Sequence, residues 1–243
     1  MLFLAGVAAG SMNSVIGSGG LVTFPALLAF GYSPLVANMT NNMGAIPGAF
    51  SGAFVFRHEM KGQWPRIIRL SVMTFLGGLI GAILLLVLPE VAFKRIVPVL
   101  IAVALVLIII QPRLKARAVP GQVKTRRGKV AGEISIFLTG IYGGYFGAAQ
   151  GILLMSILGA MFEETIQKLN SVKVMLALSA NMAAAVVFIF HGGVAWKAAG
   201  VISAGSFLGG IVGAHIGRRL PSGVYRGFIV LVGFIAIAKL LYS

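Results

Sequence analysis

Ser18, Gly19 and Gly20 lie in the stretch NSVIGSGGLVTFP (Asn13 to Pro25), inside an apolar run long enough to cross a bilayer. Glycine beside Ser and Asn at that depth breaks a helix, and the backbone groups it releases need protein, water or a ligand as partners. A half-helix restarting at Leu21 points its first amides and the positive end of its dipole at the break. That is chemistry for holding an anion without a formal charge nearby. Asn41 and Asn42, in the run ANMTNN, add amide donors from the next apolar segment, where asparagines must face partners or a wet cavity. An echo of the first stretch, YFGAAQGI (Tyr145 to Ile152), puts Gln150 in a second break, and the apolar segment after it carries Asn170, Lys173 and Asn181. The candidate substrate-binding residues are therefore Asn13, Ser18, Gly19, Gly20, Asn41, Asn42, Gln150, Asn170, Lys173 and Asn181. Asn170 is also a candidate helix cap, with Lys173 one turn inside that helix.

Other chemistries find no support. The five acids, Glu59, Glu90, Glu133, Glu163 and Glu164, all fall at segment ends, so no buried carboxylate is offered to a coupling proton or a sodium ion. Glu163 or Glu164 is the candidate partner of Lys173, whose charge near a helix N-terminus calls for an anion, from protein or ligand. His58 and His191 stand at segment ends and His215 late in a segment, positions that suit an interface better than a proton relay. There is no HExxH, no serine-histidine-acid set in a workable order and no phosphate-cradling loop followed by Lys, so an enzyme is not expected. Neither a cofactor nor a metal site is expected, and the absence of cysteine removes thiolate ligands.

The elements that must position these groups are membrane helices. With 58% hydrophobic and 10% charged residues and 33 glycines in 243 positions, the chain reads as an all-α polytopic membrane protein. Eight apolar segments are predicted, near 2–30, 36–56, 67–88, 93–110, 130–160, 172–190, 195–217 and 225–242; the first and fifth are too long and too glycine-broken for simple spans. The net charge of +15 comes from Lys and Arg lying mostly between segments, which points to the cytoplasmic face and anionic lipid, not to nucleic acid.

Gly6, Gly10 and Gly17 recur as Gly140, Gly144 and Gly151, and Trp64, Gly77, Gly78, Gly81, Leu88 and Pro89 recur as Trp196, Gly209, Gly210, Gly213, Leu220 and Pro221. The chain thus reads as two homologous four-segment repeats, 1–110 and 130–243, joined by a basic linker over 111–129. If segments one and five are re-entrant hairpins, more of the 20 Lys and Arg collect on one face than if both cross, so the repeats are expected to be inverted. A substrate site at the interface of such repeats is a common transporter design.

A first half reading AGxxAGxxNSVIGSGGLVTFPALLAFGYSPLVANMTNN, followed by FRHEMKGQW, and a second half with IQKLNSVKVMLALSANMAAAVVFIFHGGVAWKAA and SFLGGIVGAHIGRRLP resemble the sulfite exporter TauE/SafE family of bacterial permeases. The resemblance implies a multi-pass protein of the bacterial cytoplasmic (inner) membrane and transport, as an exporter, of a small inorganic or organic sulfur anion such as sulfite or an organosulfonate. The second break departs from the family pattern: GAAQG stands at Gly147 to Gly151 where many members repeat a GxGGG stretch, so its half-site would use the Gln150 side chain in place of backbone amides. A passive anion channel and a membrane-embedded enzyme or assembly factor of sulfur metabolism are the alternative readings. The lipid bilayer is the other expected partner, and a homodimer is left open.

Overall fold

The computed structural model describes residues 1–117 and 125–216, together with Gly227 and Leu231. The middle of the basic linker and, those two residues apart, the eighth predicted segment lie outside the described residues. So do Arg218, Arg219, Pro221, Arg226 and Lys239. Among the described residues every regular element is a helix: α1 (Leu2–Val15), α2 (Gly20–Ala29), α3 (Pro34–Val55), α4 (Trp64–Val87), α5 (Glu90–Arg117), α6 (Arg126–Tyr145), α7 (Gln150–Met161), α8 (Ile166–His191) and α9 (Trp196–Ile216). Helix α4, Glu90–Ile110 of α5, α8 and Trp196–His215 of α9 are each long and apolar enough to cross a membrane. Helix α5 then runs on to Arg117 instead of ending at 110: of the residues QPRLKAR that open the predicted linker, all but Pro112 are good helix formers.

The first and fifth segments are each divided. With 14 and 10 residues, α1 and α2 reach only about 21 and 15 Å, short of a hydrocarbon core of about 30 Å. Helix α1 stops where Gly17 takes φ +83°, a left-handed conformation that suits glycine. The Ile16 and Gly17 N–H groups both donate to the Met12 carbonyl. Gly147 (φ +74°) ends α6 in the same way, with the Phe146 and Gly147 N–H groups donating to the Tyr142 carbonyl. Gly17 therefore stands to α1 as Gly147 stands to α6. Sequence spacing paired Gly17 with Gly151.

After each break the chain doubles back. A Cβ on Gly19 would lie 2.1 Å from the Ala9 carbonyl oxygen, so the start of α2 is pressed against the middle of α1. Gly6, Gly10 and Ser14 of α1 meet Ile202, Ser206 and Gly210 of α9, and Gly44, Gly48 and Ser51 of α3 meet Ile202, Ser206 and Gly210 in the same sequence order. Helices α1, α3 and α9 therefore run in one direction. Two helices separated by α2 can be parallel only if α2 returns, so α1 and α2 form a helical hairpin. The second break follows the same rule: Thr74, Gly78 and Gly81 of α4 meet Gly140, Gly144 and Tyr145 of α6, and Ser71 and Gly78 of α4 meet Ser179 and Ala183 of α8, in order, so α6 and α8 are parallel and α7 returns between them. Asn42 and Gly52 of α3 meet Asn181 and Val174 of α8 in reverse order, so this set runs opposite to the first.

Close approach holds the bundle together. In lipid the apolar side chains of neighbouring helices gain nothing by leaving water, so association depends on backbone proximity and interhelical hydrogen bonds. Ser11, Ser14 and Ser51 donate to the carbonyls of Gly209, Gly210 and Phe207 on α9, and Ser206 of α9 donates to the Gly44 carbonyl on α3. Large side chains such as Val72, Leu76, Ile80 and Ile83 of α4 face outward, while Asn41, Gln150 and Lys173 are buried. A Cβ at Gly209 would sit 2.1 Å from the Val7 carbonyl oxygen, whereas Gly200 on the same helix has open space. Gly209→Leu should therefore lower stability by about 1–3 kcal/mol through overpacking, and Gly200→Leu should change it little, as read by thermal unfolding in detergent.

Candidate substrate-binding site

The two hairpin tips meet inside the bundle. The Gly151 N–H donates to the Gly17 carbonyl at 3.0 Å, and a Cβ on Gly17 would fall 2.5 Å from the Gly151 Cα. Phe24 of α2 packs edge-on against Phe146 of the second break, with ring centroids 5.3 Å apart. Each tip is also held by an asparagine from the opposite half of the chain. Asn38 of α3 donates to the Tyr145 carbonyl at the end of α6 (2.8 Å), and Asn170 of α8 donates to the Ser14 carbonyl near the end of α1 (3.0 Å). Lys173 adds a third tie, its Nζ donating to the Asn13 carbonyl at 3.1 Å.

These ties have an electrostatic consequence. A helix C-terminus carries partial negative charge on its last carbonyls and an N-terminus partial positive charge on its first amides. The Asn13, Ser14 and Tyr145 carbonyls are taken by protein donors. The N-terminal residues of α2 and α7, Gly20 and Gln150, line a cavity of about 50 Å³ between the tips, α3 and α8. A single water needs about 10–15 Å³ measured this way, so the cavity suits a few waters or an anion of four or five heavy atoms. Its wall includes Lys173, which is only 1% exposed, and none of its lining residues is acidic.

Of the residues singled out in the sequence, Asn13, Gly20, Asn41, Asn42, Gln150, Lys173 and Asn181 line this cavity. Asn13 also closes the first tip, its Oδ1 accepting from the Gly19 N–H at 2.8 Å. Asn41 accepts from the Thr23 hydroxyl and so spans α3 and α2. Asn42 donates to Asn181 Oδ1 at 3.4 Å, joining α3 to α8, and its own Oδ1 is buried with no hydrogen-bond partner among the described residues. Gln150 reaches back to the Thr139 carbonyl (3.3 Å), through space that Gly143 leaves open.

Ser18, Gly19 and Asn170 are not in the lining. Ser18 is buried at the tip with its hydroxyl unmatched among the described residues, and Gly19 is packed against α1. Asn170 does not cap its helix: α8 starts at Ile166, and Thr165 caps it by accepting from the Lys168 N–H. Glu164 lies between Arg66 (3.9 Å) and Lys168 (3.0 Å), Arg69 pairs with Glu133 at 2.8 Å, and Arg66 covers the Phe162 ring.

Ser14, Gly17, Phe146, Gly147 and Gly151 also line the cavity, as do Ala45, Gly48 and Ala49 of α3 and Val174 and Ala177 of α8. Helical spacing was the available signal for several of them. Ala45, Gly48 and Ala49 follow Asn41 and Asn42 on one face, and Ala177 and Asn181 follow Lys173 at successive turns.

An all-helical chain with membrane-length apolar helices, in which two broken segments meet at a buried cavity, has the architecture of a solute transporter. Residues 2–240 match the family described as Sulfite exporter TauE/SafE, and the chain belongs to that family. It is 27% identical over 247 residues to a probable membrane transporter protein of Haemophilus influenzae, covering 100% of this chain and 94% of that one. The probable membrane transporter protein YfcA of Escherichia coli K12 is 29% identical over 247 residues, covering 100% of this chain and 89% of its own. A third, the probable membrane transporter protein ORF9 of a Sinorhizobium species, is 27% identical over 242 residues. The chain is a membrane transporter.

Proposed function

We propose that the protein is a secondary transporter that exports a small sulfur-containing oxyanion, such as sulfite or an organosulfonate, across the bacterial cytoplasmic membrane. The observation that carries this reading is the convergence on one cavity of Lys173 and the N-terminal ends of α2 and α7, in a wall without a carboxylate. Substrate oxygens would be held by Lys173, Asn42 and Asn181, beside the positive dipole ends of the two half-helices, whose Leu21, Val22, Gln150, Gly151 and Ile152 amides already donate to backbone carbonyls. Neutral donors outnumber the single cation, which favours binding loose enough for release. The sulfur chemistry comes from the family description.

The reading includes two inverted repeats with the site at their interface. Its support is the matching geometry of the two breaks, the reciprocal ties of Asn38 and Asn170, and the opposite directions of α1 and α6. In this scheme the hairpin pairs rock against the rest of the bundle while the tips stay near mid-membrane.

Purified protein in proteoliposomes should move sulfite with saturable kinetics and show counterflow. Asn42→Ala should weaken the apparent affinity about 3- to 10-fold, the worth of one neutral hydrogen bond of about 0.5–1.5 kcal/mol. Flux that rises linearly with concentration, without counterflow, would instead mean a passive channel. No flux of any sulfur oxyanion would remove the substrate assignment.

A further inference from the structure

Gln150 opens α7 on the wall of the cavity, yet its side chain reaches back along α6, where the amide lies against Gly143 and donates to the Thr139 carbonyl at 3.3 Å. It fits there only because residue 143 has no side chain. A Cβ on Gly143 would stand 2.2 Å from Gln150 Nε2, 2.5 Å from its Cδ and 2.6 Å from its Oε1. Neither backbone is free to yield to such a clash. Gly140 and Gly144, on either side of Gly143, would place their own Cβ atoms 2.7 and 2.1 Å from the Thr74 and Gly78 carbonyl oxygens, so α6 is already pressed on α4. Gln150 is bracketed by Ala149, in the left-handed region at φ +60°, and by Gly151, whose N–H donates to the Gly17 carbonyl at 3.0 Å. What can move is the glutamine side chain, and the open space it borders is the cavity of about 50 Å³.

Resting on the transport reading above, we propose that Gly143 and Gln150 form the size filter of the anion site. The notch at Gly143 holds the Gln150 amide out of the cavity, and the room left admits a compact oxyanion such as sulfite or methanesulfonate but no sulfonate with a longer chain. The limit is one of volume. A space fit for a few waters takes an oxyanion head with at most one further heavy atom, whereas the two-carbon chain and hydroxyl of isethionate would need the space of the amide as well. Gly143 itself touches no substrate; it is a positioning residue that acts through Gln150. Close-packed interiors pass a clash on instead of absorbing it. A methyl group at 143 would therefore reappear as a glutamine amide inside the cavity, where it would take most of the space an anion uses.

The test is binding of sulfite, methanesulfonate and isethionate, measured by titration calorimetry on the whole protein, on Gly143→Ala, on Gln150→Ala and on the double variant. The wild type should bind sulfite and methanesulfonate about 10-fold or more tightly than isethionate. Gly143→Ala should weaken methanesulfonate binding about 10- to 100-fold, the range expected of overpacking, and sulfite binding less. Added to Gln150→Ala, the same substitution should change either affinity about 2-fold or less, because the group it displaces is gone. Gln150→Ala alone should raise the affinity for isethionate relative to sulfite about 10-fold. A glycine needed only for helix packing would do equal damage in both backgrounds, and that result would overturn the proposal, as would a wild type that binds isethionate as tightly as sulfite. Either leaves the transport reading standing. A wild type that binds none of the three anions removes the substrate assignment and the filter with it. Should Gly143→Ala not fold, the ratio of isethionate to sulfite affinity in Gln150→Ala against the wild type decides: a rise supports the filter, and an unchanged ratio overturns it.

Discussion

Lys173→Gln should bind sulfite about 10- to 100-fold more weakly than the wild type, the loss expected for one hydrogen bond to a charged group, worth about 1.5–3 kcal/mol. The fold should survive the change. Lys173 is 1% exposed, and replacing a buried charge with a neutral polar group removes its desolvation penalty. Glutamine can still donate toward the Asn13 carbonyl that Lys173 reaches at 3.1 Å, so the tie between α8 and the first hairpin is kept. The expected pattern is thus a melting temperature equal to or above that of the wild type with a large fall in affinity. A variant that melts much earlier would mean Lys173 chiefly fastens the hairpin. Equilibrium binding and thermal unfolding on one detergent-solubilised sample separate the two outcomes.

Gly17→Ala should be the most damaging small substitution at the site. Its φ of +83° costs a residue with a Cβ about 1–2 kcal/mol, and the new methyl carbon would lie 2.5 Å from the Gly151 Cα, where overpacking adds about 1–3 kcal/mol. The neighbour is backbone of the other tip, so relief means prising the tips apart and breaking the 3.0 Å bond from Gly151 N–H to the Gly17 carbonyl. Gly31 provides the control. It has φ +86° but nothing within 4 Å of a Cβ, so Gly31→Ala carries the conformational term alone. Thermal unfolding should show a fall for Gly17→Ala about twice that for Gly31→Ala or more, and only Gly17→Ala should abolish sulfite flux. Equal effects at both positions would mean that the tips do not bear on one another.

The first hairpin was legible because its signals are local. A glycine-serine run inside an apolar segment announces a break, and the distribution of Lys and Arg favoured a chain that doubles back there. Helix α2 indeed starts at Gly20, beside the cavity. The second break was harder to place, since GAAQG leaves fewer glycines. The recurrence Gly10 with Gly140 and Gly17 with Gly147 was hidden behind the recurrence that pairs Gly17 with Gly151. Glycines that let helices touch and glycines that turn the chain look identical in a sequence, and only φ distinguishes them.

The cavity wall was partly legible for the same reason. Polar residues at membrane depth marked Asn41, Asn42, Gln150, Lys173 and Asn181, all of which reach the lining. Ser18 and Asn170 carried the same signal but face other partners, because which side of a helix meets the cavity depends on how α1 and α3 pack on α9 and how α6 packs on α4. Those pairings join residues far apart in the chain, from Thr74 with Gly140 to Ser11 with Gly209. The reciprocal ties of Asn38 to Tyr145 and Asn170 to Ser14 belong to that long-range information and have no local mark.

The central claim is that an anion sits between the hairpin tips. A crystal structure with selenite, the anomalously scattering congener of sulfite, tests it most directly. One anomalous peak should appear in the cavity, with oxygens within hydrogen-bond reach of Lys173 Nζ and the Asn42 side chain and close to the N-terminal amides of α2 and α7. Selenite bound elsewhere in the bundle, with the space between Gly17, Gly151 and Lys173 holding only water, would contradict it.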